Sequence, residues 1–350
     1  MSWLRLSLSR LRRDRAAVVG LVTLVFATAF VFALAPRALA TVADSALRQE
    51  IGAASSTDRD IRLDQVSRPQ DDPRSTLASV GAAGDALAAQ LPAAVRAVAG
   101  TPPTGSPSYL VQTPLWHALS GTPIDNVISL RIQPDIQAHL TLTGGRWPTG
   151  VTTSAPDSLP GAIPGLKTVT LEAAMSDDAT RAFQVGLGAR FVLEPEPTDP
   201  YAVGRQMHLV VLVVGTYRPT DPADPFWVDD GTVEGSTIRA LDPEHPKVDT
   251  SLLLSPDAFP ALVAATNQAD APVDPTSPVV TILPLHFEWR FYVDPTRMRA
   301  SQVGALIQAM RRTENVFPVG VPTINGADKE QVTQQSGLLR LLEQHQASWV

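Results

Sequence analysis

The chain has 350 residues, of which 44% are hydrophobic, so it can form a sizeable core and does not have the composition of a disordered chain. It contains no cysteine, which excludes disulfides, thiolate nucleophiles and cysteine-based zinc sites. Residues 1–37 carry six Arg and one Asp, a net charge of +5, which leaves −12 for residues 38–350, and this acidity argues against a nucleic-acid partner.

The most informative segment is an uncharged apolar run at Ala16–Ala35. As a helix with a rise of 1.5 Å per residue, it extends for about 30 Å, the thickness of the hydrocarbon core of a bilayer. Five arginines and one aspartate precede the run, and such a basic flank keeps the N-terminus in the cytoplasm. We therefore predict a basic cytoplasmic segment over 1–15, a transmembrane helix over 16–37, and a main domain outside the cytoplasm at the plasma membrane.

A cleaved signal peptide is the alternative for this segment, because Ala38-Leu39-Ala40 resembles a cleavage site. The apolar run is, however, longer than the roughly 7–15 residues usual in such peptides. Helical spacing of apolar residues also continues through Leu47 and Ile51. The pattern therefore favours an uncleaved span that continues into a stalk helix over residues 38–54, and both interpretations place the remainder outside the cytoplasm.

Residues 55–327 have the pattern of an exported domain, with one or two subdomains, in which 31 prolines across the chain keep the elements short. Alternation and β-branched content predict strands at Asp58–Val66, Ser108–Gln112, Val127–Ile132, Lys167–Leu171, Ala189–Leu193, Met207–Tyr217, Ser251–Leu254, Val279–Leu283 and His286–Val293. Helical spacing predicts helices at Thr76–Ala99 with a break near Pro92, Ser176–Phe183 with Ser176 as its cap, Asp257–Thr266, and Asp294–Thr313, and a short turn of helix at Asp135–Leu142. This mixture predicts an α+β fold.

A second stalk helix is predicted over 328–350. Its apolar positions Leu338, Leu341 and Leu342 would pack against Leu47 and Ile51 of the first stalk helix. The two helices would then lie side by side between the membrane and the domain.

Glycines and an Arg-Trp pair mark the most distinctive turn of the domain. Gly144 and Gly145 suit a tight turn with positive φ or a close approach of two backbones. Arg146 is expected to pair with an acidic residue and to lie beside Trp147, which favours a structural role over ligand binding. A second turn is predicted at Gly186–Gly188. Phe226 and Trp227, in an acidic loop, suit either contact with a partner or membrane, or burial in the core.

The search for an enzyme finds no serine-hydrolase elbow, zinc-protease motif or Walker A loop. His286 and Glu288 would share one face of a strand, but a zinc site needs further ligands, and His117, His139, His208, His245 and His345 lack the spacing of metal ligands. Carboxylates at Asp229–Asp230 and Asp242–Glu244 lie in loops rich in turn residues. We therefore predict no enzymatic activity, no catalytic residues, no metal and no cofactor.

Three segments occur in an order that is found in a known family. Leu142–Pro148 reads LTGGRWP, Val185–Phe191 reads VGLGARF, and Val211–Pro219 reads VLVVGTYRP. With the arginine-flanked helix, they resemble the permease subunits of FtsX/MacB-type ABC transporters, where an L-x-G-R-W/F-P turn precedes a glycine turn and a V-x-V-V-G-x-Y/F strand. Ala189 stands where the family usually has Asp. The resemblance covers about residues 10–350.

The resemblance implies a MacB-like periplasmic core domain after the first membrane helix, which in the family precedes three more membrane helices. It implies a cytoplasmic ABC ATPase and a second permease subunit as partners, with membrane lipid around the anchor. The implied function is export or mechanotransmission involving a lipid, lipoprotein or peptide. Because the last helix resembles the approach to a second span, we expect a fragment, a truncated product or a natural single-span variant.

Two other functions fit the same residues. The first is a single-span extracytoplasmic binding module without transport activity. The second is a secreted hydrolase cleaved near Ala40, which the missing catalytic motif disfavours.

Overall fold

The computed structural model of this chain describes residues 15–67, 76–100, 108–118, 126–134, 136–154, 168–195, 209–222, 233, 237–239, 247–267, 285–315, 333–335 and 337–348. Helices and strands are interspersed along these residues, which confirms the predicted α+β class. Among the described helices, one is long and apolar enough to cross a membrane, and it lies near the N-terminus.

The described residues form eight α-helices, whose bounds are α1 (Arg15–Ala53), α2 (Ser56–Arg59), α3 (Leu77–Gln90), α4 (Ala93–Val98), α5 (Asp177–Phe183), α6 (Phe259–Asn267), α7 (Val303–Asn315) and α8 (Gly337–Ser348). Short 3-10 turns lie at Ile136–His139, Pro256–Ala258, Pro295–Arg297 and Ala300–Gln302. Pro92 separates α3 from α4, as predicted, because proline disfavours a helical backbone at the residue before it, and Leu91 is extended there. The Ser176 hydroxyl accepts the Ala179 N–H at 3.1 Å and so caps α5, which confirms another prediction.

Thirteen strands are described, and all belong to one sheet. Their bounds are β1 (Ile61–Ser67), β2 (Ser108–Gln112), β3 (Trp116–Ala118), β4 (Asn126–Ile132), β5 (Leu140–Gly145), β6 (Val151–Ser154), β7 (Thr168–Ser176), β8 (Arg190–Pro195), β9 (Leu209–Pro219), β10 (Thr237–Arg239), β11 (Lys247–Leu254), β12 (Leu285–Phe291) and β13 (Thr333–Gln335). The main order is β10-β11-β7-β9-β8-β3-β4-β2-β12-β1-β13, with β5 on β9 and β6 on β7.

Six of these strands form a closed circuit of pairings. Strand β11 also pairs in parallel with β4, which joins β4, β11, β7, β9, β8 and β3 into a ring. Strand β4 can serve both the ring and the rest of the sheet because β2 and β3 share one of its edges. Val111 lies opposite Ile132, whereas Trp116 lies opposite Ile128. The remaining strands β2, β12, β1 and β13 extend from the ring as a branch of the sheet.

The hydrophobic core follows the alternation of side chains along these strands. In β9, Leu209, Val211 and Val213 belong to the main core cluster. The other face of the β4–β11 pair is polar and also buried, and there the hydroxyls of Ser129 and Ser251 hydrogen bond at 2.8 Å. Below the branch, the indole N–H of Trp289 donates to a carbonyl oxygen of α3 at 2.9 Å. One continuous core therefore links the ring, the branch and the helices.

The strongest strand predictions are confirmed. Ser108–Gln112 is β2, and the segments around Val127–Ile132, Met207–Tyr217 and His286–Val293 correspond to β4, β9 and β12 within a few residues. The strands β7, β8 and β11 also lie where alternation predicts them, with shifted ends. The predicted strand at Val279–Leu283 lies outside the described residues.

Three predicted elements differ from the structure in their extent. A short turn of helix was expected over Asp135–Leu142; a 3-10 turn forms at Ile136–His139, but β5 begins at Leu140 because it pairs with β9. Asp294–Thr313 was expected to be one helix, but two 3-10 turns precede α7, which begins at Val303. The expected strand at Asp58 begins only at Ile61, because the short helix α2 precedes it. Strands β3, β5, β6, β10 and β13 were not predicted.

Candidate functional site

Two features are candidates for function, and the first is a stalk, which we define as residues 38–53 of α1 together with α8. On α1, Leu47 and Ile51 have no exposed surface, and on α8 the same is true of Leu338 and Leu342. All four belong to the main core cluster, while Leu341 is half-buried at its edge. The apolar faces of the two helices are therefore fixed to the domain by burial.

Polar contacts set the direction of the two stalk helices. The Nδ1 atom of His345 lies 2.7 Å from a carboxylate oxygen of Glu50. Closer to the domain, the Arg340 guanidinium donates to Asp58 just beyond α1, at 2.6 Å. The N-terminal part of α8 therefore contacts α2, and its C-terminal part contacts Glu50 of α1.

The segment between β12 and α7 holds α1 from another side. The Asp44 carboxylate accepts the Ala300 N–H at 2.8 Å, and the Arg48 guanidinium donates to the Met298 carbonyl oxygen at 3.2 Å. Asp294, which caps the first 3-10 turn, has its pKa lowered mainly by hydrogen bonds from Thr296. These backbone contacts explain why Asp294–Thr313 does not form one helix: its carbonyl and N–H groups are used by α1.

The apolar half of α1 has the opposite environment. Phe26 and Phe32 are 71% and 76% exposed, and the residues described from Val19 to Val42 bury little surface in the protein. A run of exposed apolar side chains of this length is unfavourable in water and favourable in a bilayer. Helix α1 therefore has two parts: its N-terminal part exposes apolar side chains on all sides, and its C-terminal part buries one apolar face in the domain.

The second feature is the turn at Gly144–Thr149. The Arg146 guanidinium forms a bidentate ion pair with Glu172 of β7, and Thr149 donates its N–H to the same carboxylate at 3.1 Å. Glu172 is only 8% exposed. These donors, Arg146 foremost, lower the pKa of Glu172 from 4.5 to about 2, and the pairing raises the pKa of Arg146. The expected acidic partner of Arg146 is therefore Glu172.

Glycines allow this turn to approach β9 closely. Gly145 has φ of +68°, and a Cβ there would collide with the Val214 carbonyl oxygen. On the facing strand, a Cβ on Gly215 would collide with the Arg146 carbonyl. The predicted need for glycine at Gly145 is therefore confirmed by both its positive φ and the close backbone.

The turn also forms one wall of a cleft. The Trp147 ring stacks on Tyr217 with 6.4 Å between centroids, and the Tyr217 hydroxyl donates to the Val233 carbonyl at 3.1 Å. Beside Trp147 and Pro148 lies a cleft of about 310 Å³. Its other described lining residues lie just after β4, in the 3-10 turn that follows, at the end of β11 and at the start of the next 3-10 turn, and are Gln133, Ile136, Gln137, Ala138, Leu253, Leu254 and Pro256.

The other residues considered from the sequence are distributed as follows. His286 lies 3.4 Å from Asp64, and Glu288 lies within 3.8 Å of arginine side chains of β1 and β12. In the described part of the chain, no group of three or more His, Asp or Glu side chains is placed to hold a metal ion. Phe226, Trp227 and the carboxylates at Asp229–Asp230 and Asp242–Glu244 lie outside the described residues.

Sequence reasoning did not identify Glu50, His345, Glu172 or Gln133. Glu172 had a usable signal, because it is the one charged residue in the otherwise uncharged strand β7. A carboxylate in such a strand predicts a cationic partner. Glu50, His345 and Gln133 do not stand in an apolar segment of this kind, and their sequence surroundings are equally consistent with exposed positions.

Comparisons of the chain with family models, with curated proteins and with solved structures find no match. The chain is therefore defined by its own architecture: an α+β domain preceded by one helix of membrane-spanning length and composition.

Proposed function

We propose that this chain is a membrane-anchored extracytoplasmic domain that exchanges movement with the membrane through its stalk, as the N-terminal portion of an FtsX/MacB-like ABC permease. The observation that carries the proposal is the continuity of α1, which runs from the exposed apolar segment into the domain core in one helix of 39 residues. At 1.5 Å per residue, this helix is about 58 Å long. A displacement or rotation of its membrane segment would therefore be passed directly to the domain.

The contacts of the stalk support such coupling. Helix α1 is held by α8 through Glu50 and His345, and by the 3-10 turns through Asp44 and Arg48. Helix α8 is in turn tied to α7 by the ion pair of Arg311 with Glu343 at 2.6 Å. Movement of α1 would thus reach the sheet along two routes, through α8 and α7 and through the turns beside β12.

The partners in this proposal come from the family resemblance. A cytoplasmic ABC ATPase would supply the energy, and a second permease subunit would complete the assembly, with a lipid, lipoprotein or peptide as the cargo or an external protein as the target. A single-span module without an ATPase has the same anchor and stalk. It is distinguished by experiment rather than by geometry.

The first experiment tests topology, and the absence of cysteine makes it direct. Single variants Ser7→Cys and Ala86→Cys are treated in intact cells with a membrane-impermeant maleimide; Ala86 is an exposed position on α3. We expect labelling of Ala86→Cys alone, and labelling of both only after the membrane is permeabilised. Labelling of Ser7→Cys in intact cells, or loss of an N-terminal tag through cleavage near Ala40, would contradict the proposed anchor.

The second experiment tests the ATPase. The full chain is affinity-purified from membranes of its own cells, and co-purifying proteins are searched for peptides of an ABC ATPase. The control replaces residues 1–37 with an unrelated anchor of the same orientation. We expect the ATPase with the natural anchor and not with the control. Absence of an ATPase from both preparations would favour the single-span module and overturn the permease proposal.

A further inference from the structure

The cleft beside Trp147 has a buried hydrogen-bond donor whose orientation is fixed. The Nε and Nη2 atoms of Arg131 donate to one atom of the Gln133 side chain, at 3.0 and 2.6 Å. Since a guanidinium can only donate, that atom is the amide oxygen, Oε1. The Gln133 amide nitrogen, Nε2, is therefore the end of the side chain that is left to the cleft.

This amide nitrogen has no acceptor among the described residues. Gln133 is only 6% exposed, so its side chain meets little open space. The open space that Gln133 lines is the cleft. A donor held in this way is available to a ligand, and a ligand that supplies an acceptor gains a hydrogen bond without ordering the side chain.

The remaining lining selects for an uncharged ligand with apolar groups. Among the described residues that line the cleft there is no Asp, Glu, Lys, Arg or His, and the buried apolar ones are Ile136, Pro148, Leu253 and Leu254. Trp147 presents a flat wall that is kept in place by Tyr217 behind it. Such a lining gives no counter-charge for a phosphate, a carboxylate or an ammonium group.

We propose that this cleft binds a short extended segment of polypeptide that contains proline. A backbone carbonyl of the segment accepts from Gln133 Nε2, and a pyrrolidine ring lies against Trp147. Proline-containing segments suit such a site because they are already extended, present unpaired carbonyls and lose little entropy on binding. A volume of about 310 Å³ holds two to three residues of such a segment. The site is independent of the membrane proposal.

The test measures binding of a fluorescently labelled proline decamer, acetylated and amidated at its ends, to the full chain in detergent micelles. The variant Gln133→Glu keeps an acceptor for Arg131 but removes the amide donor. Its matched control is Gln137→Glu, which places the same charge on an exposed residue of the cleft rim. A Gly-Ser decamer serves as the control probe. Far-ultraviolet circular dichroism checks that each variant is folded.

We expect saturable binding of the proline decamer, weakened about tenfold by Gln133→Glu and by less than about twofold by Gln137→Glu. Trp147→Ala should also weaken binding about tenfold. The proposal is overturned by absence of saturable binding, by equal binding of the Gly-Ser decamer, or by equal effects of the two glutamate variants. If a fluorescent fatty acid binds saturably and the proline decamer does not, the proposal is wrong and the cleft is assigned to an acyl chain.

Discussion

At the scale of single residues, the pair of Arg146 and Glu172 shows how a motif that is unremarkable in sequence acquires a definite role. The carboxylate is buried on β7 and takes its donors from the turn that follows β5. Because Trp147 and Pro148 come directly after Arg146, the ion pair fixes the wall of the cleft. We therefore consider it a structural pair that positions a binding surface, rather than a ligand site.

Removing the carboxylate charge should lower stability in a pH-dependent way. Glu172→Gln is expected to reduce the free energy of unfolding by about 1–2 kcal/mol at neutral pH, a modest value because the guanidinium side is exposed. The folded pKa of Glu172, about 2, is below its ordinary 4.5. The stabilisation is therefore complete above about pH 4.5 and is lost as the pH falls toward 2. Urea unfolding of both proteins across this range measures the difference.

The exposed pair of Asp178 and Arg181 provides the control for this prediction. Asp178→Asn should change stability by less than about 0.5 kcal/mol. The role assigned to the pair of Arg146 and Glu172 would be contradicted if Glu172→Gln were as stable as Asp178→Asn at neutral pH. It would also be contradicted if the stability difference between the unaltered protein and Glu172→Gln grew as the pH fell.

Three glycines near this turn separate conformational strain from steric contact. Gly186 has open space around it, Gly188 has open space but φ of +83°, and Gly145 has both positive φ and a backbone oxygen in contact. Substitution by alanine should therefore leave the free energy of unfolding nearly unchanged at Gly186. It should lower it by about 1 kcal/mol at Gly188 and by about 3 kcal/mol or more at Gly145. Denaturant midpoints test the order, and a Gly145→Ala protein no less stable than Gly188→Ala would contradict the close packing described here.

At the scale of elements, the sequence predicted those strands whose own residues favour a strand. The β2 segment, SYLVQ, is rich in residues that favour strands, and it forms at the predicted residues. The three-residue strand β3 has no pattern of its own and exists because β4 and β8 flank it. Likewise, β5 is a strand through β9, with a bulge between Leu142 and Gly144. Such partners are distant along the chain and cannot be read from a local window.

Within the stalk, burial distinguishes two adjacent leucines that the sequence treated alike. Leu342 is fully buried, whereas Leu341 is half-buried at the edge of the core. We expect Leu342→Ala to cost about 2–5 kcal/mol, and Leu341→Ala about 1 kcal/mol. Urea unfolding of the full chain in micelles measures both values. Equal losses of unfolding free energy in the two variants, or a Leu342→Ala protein of unchanged stability, would contradict the packing of α8 against the domain.

At the scale of the whole molecule, the position of α1 decides where the anchor can be uncoupled. Glycines inserted at residues 45–52 would disturb Leu47 and Ile51, which belong to the core, as well as the stalk. The exposed part of α1 near Ala40 is the cleaner position, because the residues there bury little surface. An insertion at Ala40 changes the connection between membrane and domain and leaves the domain itself intact.

Two glycines inserted after Ala40 should leave domain stability unchanged and broaden the distance between the domain and the bilayer. Glycine breaks helical continuity at little local cost in an exposed segment. A spin label at Ala86→Cys and a paramagnetic lipid headgroup give this distance distribution in nanodiscs. Two alanines at the same site are the control, since they lengthen the helix without breaking it. Equal broadening by alanine, or none by glycine, would contradict a rigid stalk.

The sequence by itself determined the membrane-length apolar helix, the α+β class, the break at Pro92, the cap at Ser176 and the need for glycine at Gly145. Each of these depends on local composition or on the conformational limits of one residue type. Only the tertiary structure decided the closed circuit of strands, the contacts of α1 with the 3-10 turns before α7 and the choice of Glu172 for Arg146. These depend on residues far apart in the chain, whose proximity is set by the packing of the whole core.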